Sequence, residues 1–307
     1  MADQPTAYLN GEFVHADDCK LPMFDLGIVI GAAVTDLVRT FNGKPYRLED
    51  HIRRFYRSCK YAWIEPPASL EESMKITEEL VERNLPVYDN RELAVVYYMT
   101  GGVNSTYAGA AAGADRLTPT YVQHTFPLPF HAWSHFFTEG AHCVTPPVRH
   151  VPPQVLSSKI KHRNRLHMWI GDKQAQQSDP KAVALYMDVD GNIAEATGSN
   201  FLIYRDGTVI SPRRPNMLWG ISVQTVTEIL AEMDVPFVEE DIQTYDVVNA
   251  DEAWLPSSPY CLAPVCKING TEIGGGKPGP MWRRILDHWS GLVGKDVYKE
   301  ITEASAP

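Results

Sequence analysis

Residues 182–212, AVALYMDVDGNIAEATGSNFLIYRDGTVISP, constrain this chain most. Short apolar runs there are separated by Asp-Gly pairs at 190–191 and 206–207. Asp and Gly tolerate the positive φ that closes a tight hairpin, so the stretch commits to successive antiparallel strands, read here as a β-meander. Helical periods lie on either side of it. Ile52, Phe55 and Cys59 share one face over 48–62, and Leu70, Met74, Thr77, Leu80 and Val81 share one over 70–84. Val223, Val226, Leu230 and Met233 do the same over 221–233. ELAVVYYMTGG (92–102) reads as a buried strand, and AYLNGEFV as two short strands about an Asn-Gly turn. The class is therefore α/β (α+β). The prolines of QHTFPLPFHAW (123–133) mark a break. The expected division is an N-terminal α/β domain over 1–125, a linker over 126–135 and a C-terminal domain over 136–307. The Gly/Ala-rich stretch 101–113 is too small-residued to pack a core and reads equally as a connector or a lid.

Several function classes are excluded. A net charge of −10 offers no basic face for nucleic acid. No run of eighteen apolar residues implies a membrane span. The first residues carry neither a basic nor an apolar signal region, so a cytoplasmic protein is expected. The five cysteines are scattered without C-x-x-C spacing, which suits reduced thiols and no zinc site. GGGKPG (274–279) has no Ser or Thr after its lysine, and no G-x-G-x-x-G joins a strand to a helix. His131 and His135 in HAWSH stand four apart but without an expected helix, so they read as a hydrogen-bonded surface pair, and no metal is expected.

Against that acidity, SSKIKHRNRL (157–166) gathers Lys159, Lys161, His162, Arg163 and Arg165. Lysine becomes a nucleophile when neighbouring cations or desolvation lower its proton affinity. By themselves these residues leave two readings open, a solvated turn before a helix and a reactive lysine. Similarly, Gly220 precedes a helix with Ser222 in its first turn, which suits either a simple cap or a phosphate.

Taken in order, FDLGIVIGAAVTDLVRTFNGK, LEDHIRRF, IKHRNRL, GNIAEATGSNFLI, LWGISVQT and DEAWLPSS resemble the fold type IV pyridoxal-phosphate enzymes over nearly the whole chain. That family holds branched-chain and D-amino acid aminotransferases, (R)-amine transaminases and aminodeoxychorismate lyase. The resemblance implies pyridoxal 5′-phosphate as cofactor, with Lys161 as the Schiff-base lysine in preference to Lys159, and Glu195 as the partner of the pyridine nitrogen. It places Arg54, Ile221, Ser222 and Ser258 at the cofactor phosphate. The freed lysine then moves a proton between the substrate carbon and C4′ of the cofactor. Ile30, Asp36, Tyr97 and Met99 are the expected substrate contacts; Tyr97, Met99 and Gly101 share one face of their strand and Val96, Tyr98 and Thr100 the other, and the sequence leaves open which face meets substrate. The activity implied is transfer of an amino group between an amino acid or primary amine and a 2-oxo acid, in a homodimer. A lyase of the aminodeoxychorismate type and a catalytically silent relative are the alternatives. Asp36 favours transamination, because the lyase branch carries a threonine there. Leu166 stands where many relatives have the tyrosine that meets the ring hydroxyl, and the strand LAVVYYMTGG has no arginine for a substrate carboxylate.

Overall fold

The computed structural model describes residues 4–104 and 117–304, in two compact units. The first comprises residues up to Leu128 together with Ile160–Asn164, and the second comprises Pro129–Lys159 and the chain from Arg165 onward.

The first unit runs β1 (Thr6–Leu9), β2 (Glu12–His15), α1 (Leu26–Val29), β3 (Ala33–Phe41), β4 (Lys44–Pro45), α2 (Leu48–Tyr61), α3 (Leu70–Asn84), β5 (Leu93–Thr100) and β6 (Tyr121–Pro127). Its six-stranded sheet has the order β2-β1-β6-β5-β3-β4. The expected helical faces of α2 and α3 supply Ile52, Phe55, Cys59, Leu80 and Val81 to a core shared with Val38, Val95 and Tyr121. Ser69 starts α3 with a capping box to Glu72. Residues 160–164 join this unit through β3: Thr35 N–H donates to the Lys161 carbonyl at 2.9 Å, and Arg163 N–H to that of Ala33 at 3.0 Å.

The second unit runs α4 (Phe130–Glu139), β7 (Ala141–Val144), α5 (Leu166–Ser178), β8 (Val183–Met187), β9 (Ile193–Ala196), β10 (Leu202–Arg205), β11 (Thr208–Pro212), α6 (Ile221–Glu232), β12 (Phe237–Glu240), α7 (Thr244–Val248), β13 (Glu252–Ser257), β14 (Cys261–Ile268), β15 (Thr271–Glu272), α8 (Pro280–Val293) and α9 (Val297–Thr302). The sheet order is β12-β11-β10-β13-β14-β7-β8-β9, with β15 on β14. Val223, Val226 and Leu230 of α6 are fully buried.

Three expectations change. The meander is two hairpins, β8–β9 and β10–β11, at opposite ends of the sheet order, because β10 takes β13 as its second neighbour. The turn between the hairpins bonds to β13 instead: Asn200 N–H donates to the Pro256 carbonyl at 3.1 Å and Ser257 Oγ–H to that of Gly198 at 2.8 Å. The division between the units falls within 126–135, between Leu128 and Pro129, but most of these residues belong to elements. Pro127 ends β6 and Pro129 caps α4, positions where a missing N–H costs little, so only 128–129 lie between elements. His131 and His135 therefore do stand on a helix.

Candidate active site

In the first unit Asp36 registers opposite Tyr97, so both face the core under α2. His51 and Arg54 are three apart on α2 and share the face that meets Asp36. Arg54 donates from Nε to Oδ2 at 2.8 Å and from Nη2 to Oδ1 at 2.7 Å, and His51 Nδ1 lies 2.9 Å from Oδ1. Asp36 is fully buried. Burial pushes its carboxyl up, but the Arg54 guanidinium and His51 hold it below the usual carboxylate range. His51 is lowered by burial and by the positive charges of Arg54 and Lys161, against the pull of Asp36. Asp36 leaves the Arg54 Nη1 hydrogens to other acceptors.

Ser58 links this clamp to the lysine. Its Oγ–H donates to the Arg54 carbonyl at 3.1 Å, and its Oγ accepts the Lys161 N–H at 3.2 Å. Lys159, by contrast, is exposed and belongs to the second unit.

In the second unit β9 presents Glu195. Its Oε1 lies 3.1 Å from His150 Nε2, and its Oε2 accepts the Leu218 N–H at 3.1 Å. Asn200 Nδ2–H donates to the Leu218 carbonyl at 2.6 Å. A Cβ at position 220 would stand 2.3 Å from Asn200 Oδ1, so glycine is what lets α6 begin there. Gly220 has no capping side chain and Ser222 makes no cap bond. The first-turn N–H groups of α6 thus have no acceptor within the helix and stand at its positive dipole end. Ser258 follows β13, whose Ser257 is bonded to the Gly198 turn. Glu195, Ile221, Ser222 and Ser258 are in this way tied into one frame.

These donors fit pyridoxal 5′-phosphate: a primary amine, a carboxylate suited to a pyridinium, and a guanidinium and helix end suited to a dianion. No group of three or more His, Cys, Asp or Glu side chains among the described residues could hold a metal.

The substrate contacts are placed differently from expectation. Tyr97 and Met99 are fully buried in the apolar core. Asp36 has both oxygens engaged by Arg54 and His51. Ile30, just after α1, is 43% exposed. The opposite face of β5 holds Tyr98, half-buried, with the Arg163 guanidinium 5.8 Å from its ring centroid. Leu166 is exposed at the start of α5. Residues 105–113 of the Gly/Ala stretch lie outside the described residues. His51, Ser58 and His150 were not expected. The spacing of His51 and Arg54 on one helix face signals the first, whereas nothing local marks the other two. A separate hollow of about 630 Å³ beside α2, lined by Tyr56, Trp63, Ile64 and Leu70 with Arg53 and Arg57, contains none of the expected site residues.

Solved structures show the fold. The branched-chain amino acid aminotransferase of Escherichia coli matches with a TM-score of 0.87 at 20% identity, over 95% of both chains. That of Thermobaculum terrenum, solved in its PLP form, matches with a TM-score of 0.83 at 20% identity, over 98% of this chain and 96% of that one. The fold is that of the fold type IV pyridoxal-phosphate enzymes. Residues 33–268 match the amino-transferase class IV family, and the chain belongs to it: this protein is a pyridoxal-phosphate-dependent transaminase. Among relatives, a putative branched-chain-amino-acid aminotransferase of Methanocaldococcus jannaschii is 28% identical over 95% of this chain and 99% of its own. A D-alanine aminotransferase of Staphylococcus aureus is 27% identical over 91% and 95%.

Proposed function

We propose that the amino donor is an α-amino acid with an apolar side chain, and that Arg163 meets its carboxylate. One observation carries the reading. Lys161 and Arg163 alternate with His162 along an extended segment paired to β3, so their side chains leave the same face. Arg163 thereby supplies the cation that β5 lacks, beside the Tyr98 ring. Tyr98 and Ile30 offer the apolar surface. The branched-chain and D-alanine aminotransferases among the relatives support an amino acid donor.

Bound here, the cofactor supplies an electron sink for the bond broken at the substrate carbon. Lys161 Nζ would hold the cofactor and, once freed, would move a proton at the substrate carbon. Arg54, the N–H groups of Ile221 and Ser222, and Ser258 hold the phosphate, which keeps the ring from drifting. Glu195 keeps the pyridine nitrogen protonated. The resemblance to the family supports a homodimer, testable by light scattering, and the five free cysteines support a reducing, cytoplasmic compartment.

Arg163→Gln tests the donor. It should raise KM for branched-chain amino acids and D-alanine by at least tenfold and leave KM for 1-phenylethylamine, which has no carboxylate, unchanged. An equal change for both, or none, overturns the assignment. Turnover of the amine alone would assign the chain to primary amines.

A further inference from the structure

We propose that His150 is a positioning residue which, as an imidazolium, fixes the Glu195 carboxylate in its orientation toward the cofactor's ring nitrogen. The catalytic half of this inference rests on the pairing of Glu195 with that nitrogen. The ionic half rests on the second unit alone.

Both ring nitrogens of His150 face oxygens that only accept. Nε2 lies 3.1 Å from Glu195 Oε1, and Nδ1 lies 3.1 Å from the Val151 carbonyl. A neutral imidazole has one N–H and would turn a lone pair toward one of these oxygens, whereas the imidazolium donates to both. His150 is only 7% exposed, so little water is at hand to relieve the mismatch. The geometry thus selects the charged form whichever tautomer is considered.

The neighbouring charges agree. Glu195 on β9 and Asp188 after β8 face the ring with negative charge. From α5, His167 meets it edge-on with ring centroids 5.8 Å apart, and Tyr186 on β8 lies at 6.5 Å. Burial would lower the proton affinity of His150, but the Glu195 carboxylate outweighs it and the net direction is upward. His167 goes down, from burial first and then from the charge on His150. One cation therefore sits among two carboxylates, beside a neutral histidine.

The consequence is chemical. Each oxygen of Glu195 already accepts one hydrogen bond, from His150 or from Leu218, and each keeps a lone pair. Glu195 can therefore add the bond from the ring nitrogen without turning. The imidazolium at Oε1 also holds the carboxylate in that orientation, so the ring nitrogen would meet a fixed anionic acceptor.

The ionic half is tested in the apoprotein, by ¹⁵N NMR of histidine-labelled chain, with the His150 signal identified by its loss in His150→Gln. Both nitrogens should be protonated at pH 7, with a midpoint above the ordinary value of about 6.5. Glu195→Gln should bring that midpoint down by a full pH unit or more. A nitrogen bare at pH 7, or a midpoint that Glu195→Gln leaves in place, overturns the ion pair. The catalytic half is read in the holoenzyme. His150→Gln should lower kcat about tenfold with KM changed less than threefold, and should remove the alkaline fall in kcat that tracks the His150 midpoint. An alkaline limb that persists in His150→Gln overturns the positioning role. If Glu195→Gln leaves turnover intact while the NMR result holds, the pairing of Glu195 with the ring nitrogen has failed, and the catalytic half with it.

Discussion

Each unit buries one histidine against one carboxylate at nearly the same distance, 2.9 Å for His51 and Asp36 and 3.1 Å for His150 and Glu195. The two histidines nevertheless shift in opposite directions, His51 down and His150 up. Burial by itself lowers both, His51 being the more deeply buried, and the charges around the two pairs differ as well. Asp36 is already neutralised by the bidentate Arg54, and Lys161 adds positive charge, so a second proton on His51 has little to gain. Glu195 has a backbone N–H as its other partner, so its charge is left for His150. Local charge balance, more than the distance between histidine and acid, sets protonation. The first site is a clamp that presents an arginine. The second is a clamp that presents a carboxylate.

The largest expected effect sets the scale for both clamps. Lys161→Ala should lose turnover on the order of 10⁴-fold or more, since in the proposed function it removes both the covalent anchor and the proton carrier. Borohydride reduction of the native enzyme should leave its label on the Lys161 peptide, and a label on Lys159 would reassign the chemistry to the second unit.

Next in size is a contrast in stability. Asp36→Asn strands a buried guanidinium that cannot lose its proton, and should cost about 3–5 kcal/mol in urea denaturation. Glu195→Gln should cost clearly less, because His150 can become neutral in response. Equal costs would break the distinction between the two clamps.

Smaller still is cofactor retention. Arg54→Ala should weaken it by about 2–3 kcal/mol, the scale of a charge-assisted contact, measured by dialysis and visible absorbance. Retention equal to wild type would leave Asp36 and His51 clamping an arginine with no ligand.

The smallest effect is in pH dependence, where the two histidines should act in opposite directions. The folded state lowers His51, so its contribution is full above about pH 6.5 and is lost as pH falls toward its folded midpoint. The folded state raises His150, so its contribution is full below about pH 6.5 and is lost as pH rises through its folded midpoint. His51→Gln should flatten the acid side of the stability profile and His150→Gln the alkaline side. The same change from both would show that the two pairs do not differ in charge.

What the sequence by itself determined is local. The periods of α2, α3 and α6 and the Asn-Gly and Asp-Gly turns were legible because a helix face or a tight turn is written within a few residues. The order of the motifs pointed to Lys161, Glu195 and Arg54. Tertiary structure decided the rest. Whether Tyr97 or Tyr98 meets the core depends on which sheet face α2 and α3 cover, and period-two alternation serves both faces equally. Whether β9 continues to β10 depends on β13, more than forty residues further on. The charge on His150 depends on Glu195, forty-five positions away, and the downward shift of His51 depends on its burial and on the charges of Arg54 and Lys161. Burial raises the strength of such long-range pairings, and a linear pattern holds no record of which groups will be buried together.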